Sequence, residues 1–574
     1  MGQKSHDLVI RGGTVIDGTG QPRFAADVAV DDGRISAVGQ VNGTGRREIN
    51  AADRLVLPGW VDCHTHYDGQ ATWDPDMTPS VWHGVTSIVM GNCGVGFAPA
   101  KADQHDYLIS LMEGVEDIPG SALAEGLEYN WESFPEYLDA LAAVPRTMDV
   151  AAQMPHHALR VYVMGERAAN HEDATADDIA RMADLTEEAI KAGAVGFTTS
   201  RTYVHRTSKG DQVPGTFAAP EELVGIAHGM KRAGAGAFGM ISDFEDEDAD
   251  IAWMRRIVRE SGRPLWYLLT RWDHEGDKWR RMLDRTALAA SEGIDIRAQV
   301  ASRPIGILMG LECSLHPFVA HKAYREVKDL PAAERAVALR EPGRRQAILD
   351  EVKTPKSGLM KTIIKDFHKM YPMSDPMDYE PGYAASVAGL AEASGADATA
   401  MALDLLCEGD GTRLFFFPLV NYGDGDCESI REMMQHPNTL LGLGDGGAHC
   451  GVICDASMPT TLLSHWGRDR SRGAQLEVEW LVRRQTFDNA AYFGLHDRGR
   501  LKVGAKADIN VVDFDALGVR LPRIVKDLPA GGRRLIQEAK GYDATIVSGV
   551  VVSEHGELTG ARPGQLIRGS TGAA

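Results

Sequence analysis

Eight times between residues 57 and 500 a short apolar run gives way to a stretch of other character, and this alternation restricts the fold more than any other feature of the chain. The runs begin near Leu57, Thr86, Met148, Ala194, Gly236, Pro264, Ile294 and Thr439. Helical patterns over 176–192, 220–233 and 248–261 lie between them. Eight such units predict an α/β fold, a (β/α)8 TIM barrel, in which active sites sit at the carboxyl ends of the strands.

The rhythm breaks once. About 135 residues separate the seventh run from the eighth, including a charged helical stretch over 332–353 and the apolar Leu414-Phe-Phe-Phe-Pro-Leu-Val420. A structureless loop of that length is improbable in a compact domain. We therefore expect a mostly helical insertion before the eighth strand, at about 303–438, that covers the barrel mouth as a lid. Phe415-Phe-Phe417 reads as core of this insertion.

The two ends of the chain have a different texture. Asp7-Leu-Val-Ile-Arg11 and Thr14-Val-Ile-Asp17 turn at glycines, and so does Ala26-Asp-Val-Ala-Val30. Ala507-Asp-Ile-Asn-Val-Val-Asp513 and Ala544-Thr-Ile-Val-Ser548 repeat the pattern near the other end. Alternation bounded by Gly and Asp is a hairpin signature, and strands this short are not stable alone. One small β-sandwich domain formed from both termini, residues 1–56 and 501–574, is the economical reading, with the barrel at 57–500.

Composition narrows the partners. The formal net charge is −21, which gives no electrostatic reason to expect nucleic acid or an anionic membrane surface. No apolar run reaches the roughly 18–20 residues of a membrane span. Seven cysteines with no CxxC pair make a disulfide framework or zinc ribbon a poor fit. A soluble, reducing, cytoplasmic setting is expected, with a small molecule as partner and a homo-oligomer left open.

The chemistry-bearing residues fall at strand ends. His64-Thr65-His66 closes the first run, and a period of two sends both imidazoles to one side. Neutral imidazole is a common ligand for zinc, although an isolated HxH is more often a surface or hydrogen-bonded pair. The second run ends in Gly91-Asn92-Cys93-Gly94. Cys93 is either a buried inert thiol or a thiolate beside a divalent ion. The eighth run ends in Gly444-Asp445-Gly446-Gly447-Ala448-His449, where Asp445 is a turn residue or a carboxylate aimed into the barrel mouth. Barrel topology would bring all three segments to one end.

Taken together, the paired terminal β-segments, Leu57-Pro-Gly-Trp-Val-Asp-Cys-His-Thr-His66 and Arg498-Gly-Arg-Leu-Lys-Val-Gly-Ala-Lys-Ala-Asp508 resemble the amidohydrolase superfamily. Gly91-Asn-Cys-Gly94, Gly193-Ala-Val-Gly-Phe-Thr-Thr199 with Tyr203, and Asp455-Ala-Ser-Met-Pro-Thr460 with His465-Trp466 are similar to its N-acyl-D-amino-acid deacylase (D-aminoacylase) branch. The resemblance implies His64, His66, Cys93 and Asp445 as metal ligands, Asp445 also as general base, and Tyr203 near the substrate. It also implies a histidine at the end of the fifth strand and another at the end of the sixth. Here Ile241 and Leu269 stand at those places, and neither can bind metal. The four remaining ligands suit one ion per chain, with a count typical of zinc.

Other mouth residues are weighed individually. His449, His157 and His205 are candidates to line the substrate site or donate a proton, each with the alternative of a hydrogen-bonded loop histidine. Arg201 could pair a substrate carboxylate through a bidentate fork, or lie on the surface. The expected function is metal-dependent hydrolysis of a C–N amide bond, with N-acyl-D-amino acids as the candidate substrate, by a metal-activated water with Asp445 as base. Two readings stay open beside it: a related hydrolase of a cyclic amide, lactone or ester, and a catalytically weak binding protein on a decayed barrel.

Overall fold

A computed structural model of the chain describes residues 5–351 and 363–569. Eight parallel strands form the central sheet. They are β1 (Trp60–Asp62), β2 (Val85–Met90), β3 (Asp149–Pro155), β4 (Gly196–Arg201), β5 (Ala237–Ser242), β6 (Leu265–Leu268), β7 (Ile296–Val300) and β8 (Thr439–Leu441). All eight expected strands are present, within a few residues of where the apolar runs place them. Every residue of β2 and of β3 is buried, as befits parallel strands covered on both faces.

Side-chain alternation separates two cores. Val61, Val89, Ala151, Ala237, Trp266 and Leu440 fill the cylinder, and Ala490, Phe493 and Leu495 close its amino-terminal end. The opposite faces pack against the surrounding helices in the largest apolar cluster. Local chemistry fixes those helices. The Thr175 hydroxyl accepts from the Asp178 amide to cap Ala176–Ala192, and Gly193 ends it at φ 120°.

The cylinder closes one step above its strands. Between β8 and β1 the seam is a parallel bridge of Thr65 with Gly446; His66 N–H donates to Gly446 O (2.8 Å) and Asp445 N–H to His64 O (3.0 Å). The backbone carrying the HxH pair is thus bonded directly to the backbone carrying the aspartate.

Both termini build one nine-stranded sheet. Its joint is the antiparallel pairing of Leu55–Pro58 with Ile509–Val512. Leu8, Val28 and Val56 from one end share a core with Val511, Ile546 and Val551 from the other. Buried Asp149 at the start of β3 pairs with Arg498 and Lys506 (2.5 Å each), fastening this sheet to the barrel floor.

The insertion carries detail beyond the expectation. Its helices Ala332–Arg340, Pro342–Asp350, Val387–Ser394 and Ala398–Leu406 agree with a mostly helical insertion, and it adds a three-stranded antiparallel sheet of Ile305–Met309, Phe415–Val420 and Tyr371–Pro372, with the phenylalanine run as the middle strand. The charged helical stretch over 332–353 is formed by two helices, Ala332–Arg340 and Pro342–Asp350, the second opening at Pro342, and positions 352–353 lie outside the described residues. Helix Glu428–Gln435 packs on β7 and β8 and belongs to the barrel layer, so the insertion ends before 438. The segment 501–574 also does more than complete a sheet. Its hairpin Arg523–Leu528/Gly532–Ile536 reaches the barrel mouth, where Leu535 N–H donates to Cys450 O (2.7 Å). Among the described residues no helix is long and apolar enough to cross a membrane.

Candidate metal centre at the barrel mouth

His64, His66 and Cys93 meet, with their ligand atoms all within 4.8 Å of one another, and all three side chains are buried. Asp445 stands beside this group on its imidazole side: its Oδ1 lies 3.5 Å from His64 Nε2 and 3.6 Å from His66 Nε2, while Cys93 Sγ is 3.5 Å from His64 Nε2. These spacings match a shared ion. Two donors each about 2.0–2.3 Å from a tetrahedral zinc stand roughly 3.3–3.8 Å from each other. The donor set of imidazole, thiolate and carboxylate fits a divalent ion such as zinc.

Backbone strain places two of the candidate donors. Cys93 (φ 54°) and Asp445 (φ 45°) are both in the left-handed region, sparsely populated by side-chain-bearing residues. Around Cys93 the motif has a local cause. Gly91 (φ 80°) passes so close to β3 that a Cβ would lie 2.3 Å from the Gln153 carbonyl oxygen. Asn92 Nδ2 donates to Thr65 O (3.0 Å) and Val89 O (2.9 Å), and its Oδ1 accepts from Gln153 Nε2 (3.0 Å). Asn92 therefore ties the cysteine turn to the HxH strand.

Two residues missed by sequence reasoning orient the imidazoles. Gln299 on β7 accepts at Oε1 from His64 Nδ1 (2.5 Å), which leaves Nε2 free to face the centre. Glu116 ends the helix His105–Glu116, is 1% exposed, and sets its carboxylate 3.3 Å from His66 Nδ1 and 3.5 Å from His449 Nε2. Its backbone carbonyl also accepts from His449 N–H. Gln299 had a faint signal, a polar side chain in the apolar run Ile296-Arg-Ala-Gln-Val300. Glu116 had none, since it closes an ordinary amphipathic helix.

Electrostatics differ across the group. Burial lowers His64 to about 4 and keeps it neutral. Burial also opposes charge on His66, but Glu116, Asp445 and Cys93 outweigh it and hold His66 well above the usual histidine range. Burial would raise Asp445, yet the His66 contact and the imidazoles of His64, His66 and His449 pull it well below the usual carboxylate range, so it is ionised and able to accept. Burial pushes the Cys93 thiol up to about 11; a divalent cation is what would hold that sulfur as thiolate.

The remaining candidates divide. His449 (φ 54°) is half-buried beside Glu116 and lines the mouth, and His205, held by Ser200 Oγ (2.8 Å), lines it too. His157 is fully buried, accepts from Gly215 N–H (3.1 Å) and packs against the Cys93 turn, a buttress of that turn. Arg201 is on the outward face of β4, 3.7 Å from Asp250 and over the ring of Trp253, so its guanidinium faces the helix layer and not the four donors. Tyr203 is 46% exposed, beside Phe217. Ile241 and Leu269 border a cavity of ≈ 290 Å³ that His205 and His449 also line.

The structure is a parallel eight-stranded barrel whose carboxyl end gathers two histidines and a cysteine that could hold a metal ion, with an aspartate beside them. Residues 47–553 match the family described as "Amidohydrolase family", and the chain belongs to it. It is 28% identical to the N-acyl-D-glutamate deacylase of Alcaligenes xylosoxydans xylosoxydans, over 99% of this chain and 97% of that protein. It is 34% identical to a D-aminoacylase from the same organism over 45% of this chain, and that match spans 49% of the relative's length. A solved D-aminoacylase structure, described as having a binuclear metal centre, superposes with a TM-score of 0.65 at 23% identity, covering 98% of this chain and 100% of that one. At that identity the superposition speaks for the fold.

Proposed function

We propose that this chain is a metal-dependent amidohydrolase that cleaves the C–N amide bond of an N-acyl-D-amino acid with one divalent ion, zinc by its donor set. The observation that carries the reading is the meeting of the His64, His66 and Cys93 donor atoms within 4.8 Å of one another, with Asp445 Oδ1 3.5–3.6 Å from both imidazoles. The deacylase relatives support amide hydrolysis. Ile241 and Leu269 favour a single ion, since neither can donate where a second set of ligands would be needed.

An ion held by these four residues supplies Lewis acidity to the scissile carbonyl and a water of lowered pKa. The protein's residues do the rest. Gln299 and Glu116 fix the two imidazoles by their far nitrogens. Asp445, ionised and 11% exposed, accepts the proton of the attacking water and returns it to the departing nitrogen. His449, steadied by Glu116, faces the mouth and donates to the developing oxyanion. The insertion strand Phe415–Val420 borders the mouth through Leu419 and Val420 and helps exclude bulk water.

The test pairs elemental analysis of the purified protein with turnover of N-acetyl-D-amino acids, their L-enantiomers and cyclic amides. One metal per chain, D-selective release of the amino acid, and loss of turnover in a folded Asp445→Asn variant are expected. Full activity in that variant, or no stoichiometric metal and no metal-stimulated turnover, refutes the mechanism.

A further inference from the structure

The mouth cavity that His205 and His449 line is walled on its β5–β6 side by Ile241, Leu268, Leu269, Phe244 and Trp279, and Val420 of the insertion lines it too. Its charged lining is already engaged. Lys278 Nζ donates to Glu275 Oε1 (2.7 Å) and to the Asp243 carbonyl. The Asp243 carboxylate accepts from Thr202 Oγ1 (2.5 Å) and Tyr203 N–H (2.9 Å). His205 is held neutral, lowered to about 3 by burial and then by the neighbouring His449, His66 and His64. Lys278 is the one lysine or arginine among the lining residues, and two carboxylates accompany it. A substrate carboxylate entering here would lose its hydration and meet no unpaired cation. An uncharged hydrocarbon group would instead meet apolar walls, and a cavity of about 150 Å³ already admits benzene; this one has ≈ 290 Å³.

We propose that this cavity receives an uncharged apolar side chain of the substrate amino acid, branched or aromatic, and rejects an acidic one. Ile241 and Leu269 are the specificity-determining residues. The positions that the family resemblance would give to histidines have become the wall of a substrate pocket. This inference deepens the hydrolase reading and rests on it for the identity of the ligand, though the cavity can be tested without it. It also separates this chain from its relative named for N-acyl-D-glutamate.

Two measurements on the metal-loaded protein decide the matter. In the first, kcat/KM is compared for N-acetyl-D-phenylalanine, N-acetyl-D-leucine and N-acetyl-D-glutamate. The apolar substrates should lead by about 100-fold or more, the scale set by a desolvated, unpaired group in a pocket. Leu269→Arg should shift that ratio at least tenfold toward glutamate, and Ile241→Asn should lower the apolar rates. Equal or greater activity on glutamate, or an unchanged ratio in folded variants, overturns the proposal. The second measurement is calorimetric titration with hexan-1-ol, an uncharged probe that needs no catalysis. Saturable 1:1 binding to the wild type, weakened at least tenfold in either variant, supports the cavity assignment; no binding to the wild type overturns it. Absence of turnover on every amide, with hexan-1-ol binding intact, would refute the hydrolase reading and leave the cavity standing. If Leu269→Arg does not fold, Ile241→Asn carries both arms.

Discussion

Replacing Glu116 by Gln isolates what a buried carboxylate contributes to a centre it does not join. The carboxylate lies 3.3 Å from His66 Nδ1, and neither atom has a hydrogen-bond partner elsewhere among the described residues. It sits at the carboxyl end of a helix, where the macrodipole disfavours negative charge, and burial raises its pKa. A carboxylate kept against both penalties is there for the ring it faces. Gln keeps the shape and one carbonyl acceptor, so the variant loses charge assistance and little packing. An interaction with a charged group nets about 1.5–3 kcal/mol against about 0.5–1.5 for a neutral one, so the loss is roughly 1–1.5 kcal/mol. That corresponds to metal binding weakened about 5- to 13-fold. Glu116→Ala removes the acceptor as well and should cost about 10- to 100-fold. Competition for zinc against a chromophoric chelator at neutral pH reads both values, with circular dichroism to confirm folding. Wild-type zinc affinity in both variants would refute the argument that Glu116 orients His66.

Cys93→Ala should lower metal occupancy, because it removes the one sulfur donor, and elemental analysis of the purified variant checks this. Stripping metal with a chelator should lower the Tm, since an ion bound only by the native state stabilises it in proportion to the logarithm of its concentration over Kd; restoring zinc should reverse the change in a thermal melt. Acid should loosen the contact between the insertion and the barrel. Glu380 is buried and paired with Arg470 (3.0 Å) and His465 (3.1 Å); burial would raise its carboxyl, but these partners and the Cys427 amide hold it down at about 2. A depressed carboxyl stabilises the fold above its unfolded pKa of about 4.5, and that stabilisation fades as pH falls from there toward 2. The contribution is at most about 3 kcal/mol. Urea midpoints should drop across that window in the wild type and far less in Glu380→Gln; parallel acid profiles would remove this pair from the account.

What could be read from the sequence follows how each feature is encoded. Strand existence was legible because parallel strands are apolar on both faces, so runs such as Thr86-Ser-Ile-Val-Met90 stand out by composition alone. The candidate donors His64, His66, Cys93 and Asp445 could be singled out because they follow strand ends within distinctive local motifs. Phe415-Phe-Phe417 was legible as core but not as a strand, because it has no period to separate a buried strand from other core and its strand partners lie far away in sequence. Arg201 was readable as a type but not as a direction: alternation along β4 turns it outward, toward Trp253. Glu116 was out of reach because its role depends on a helix in the long β2–β3 connection folding back over the mouth, a tertiary fact with no local trace.

The seam between β8 and β1 has a consequence for how the protein is made. His64 and Asp445 are 381 residues apart, yet their backbones are directly bonded. At a synthesis rate of about 5–20 residues per second, the imidazoles and the thiol emerge roughly 20–75 s before the carboxylate that completes their set. During that interval the nascent polypeptide offers two histidines and a cysteine with no fourth partner and no finished cylinder to shape them. If the proposed centre holds its ion, capture by the full donor set waits until residue 445 has been made, and a chain truncated before it cannot assemble that set.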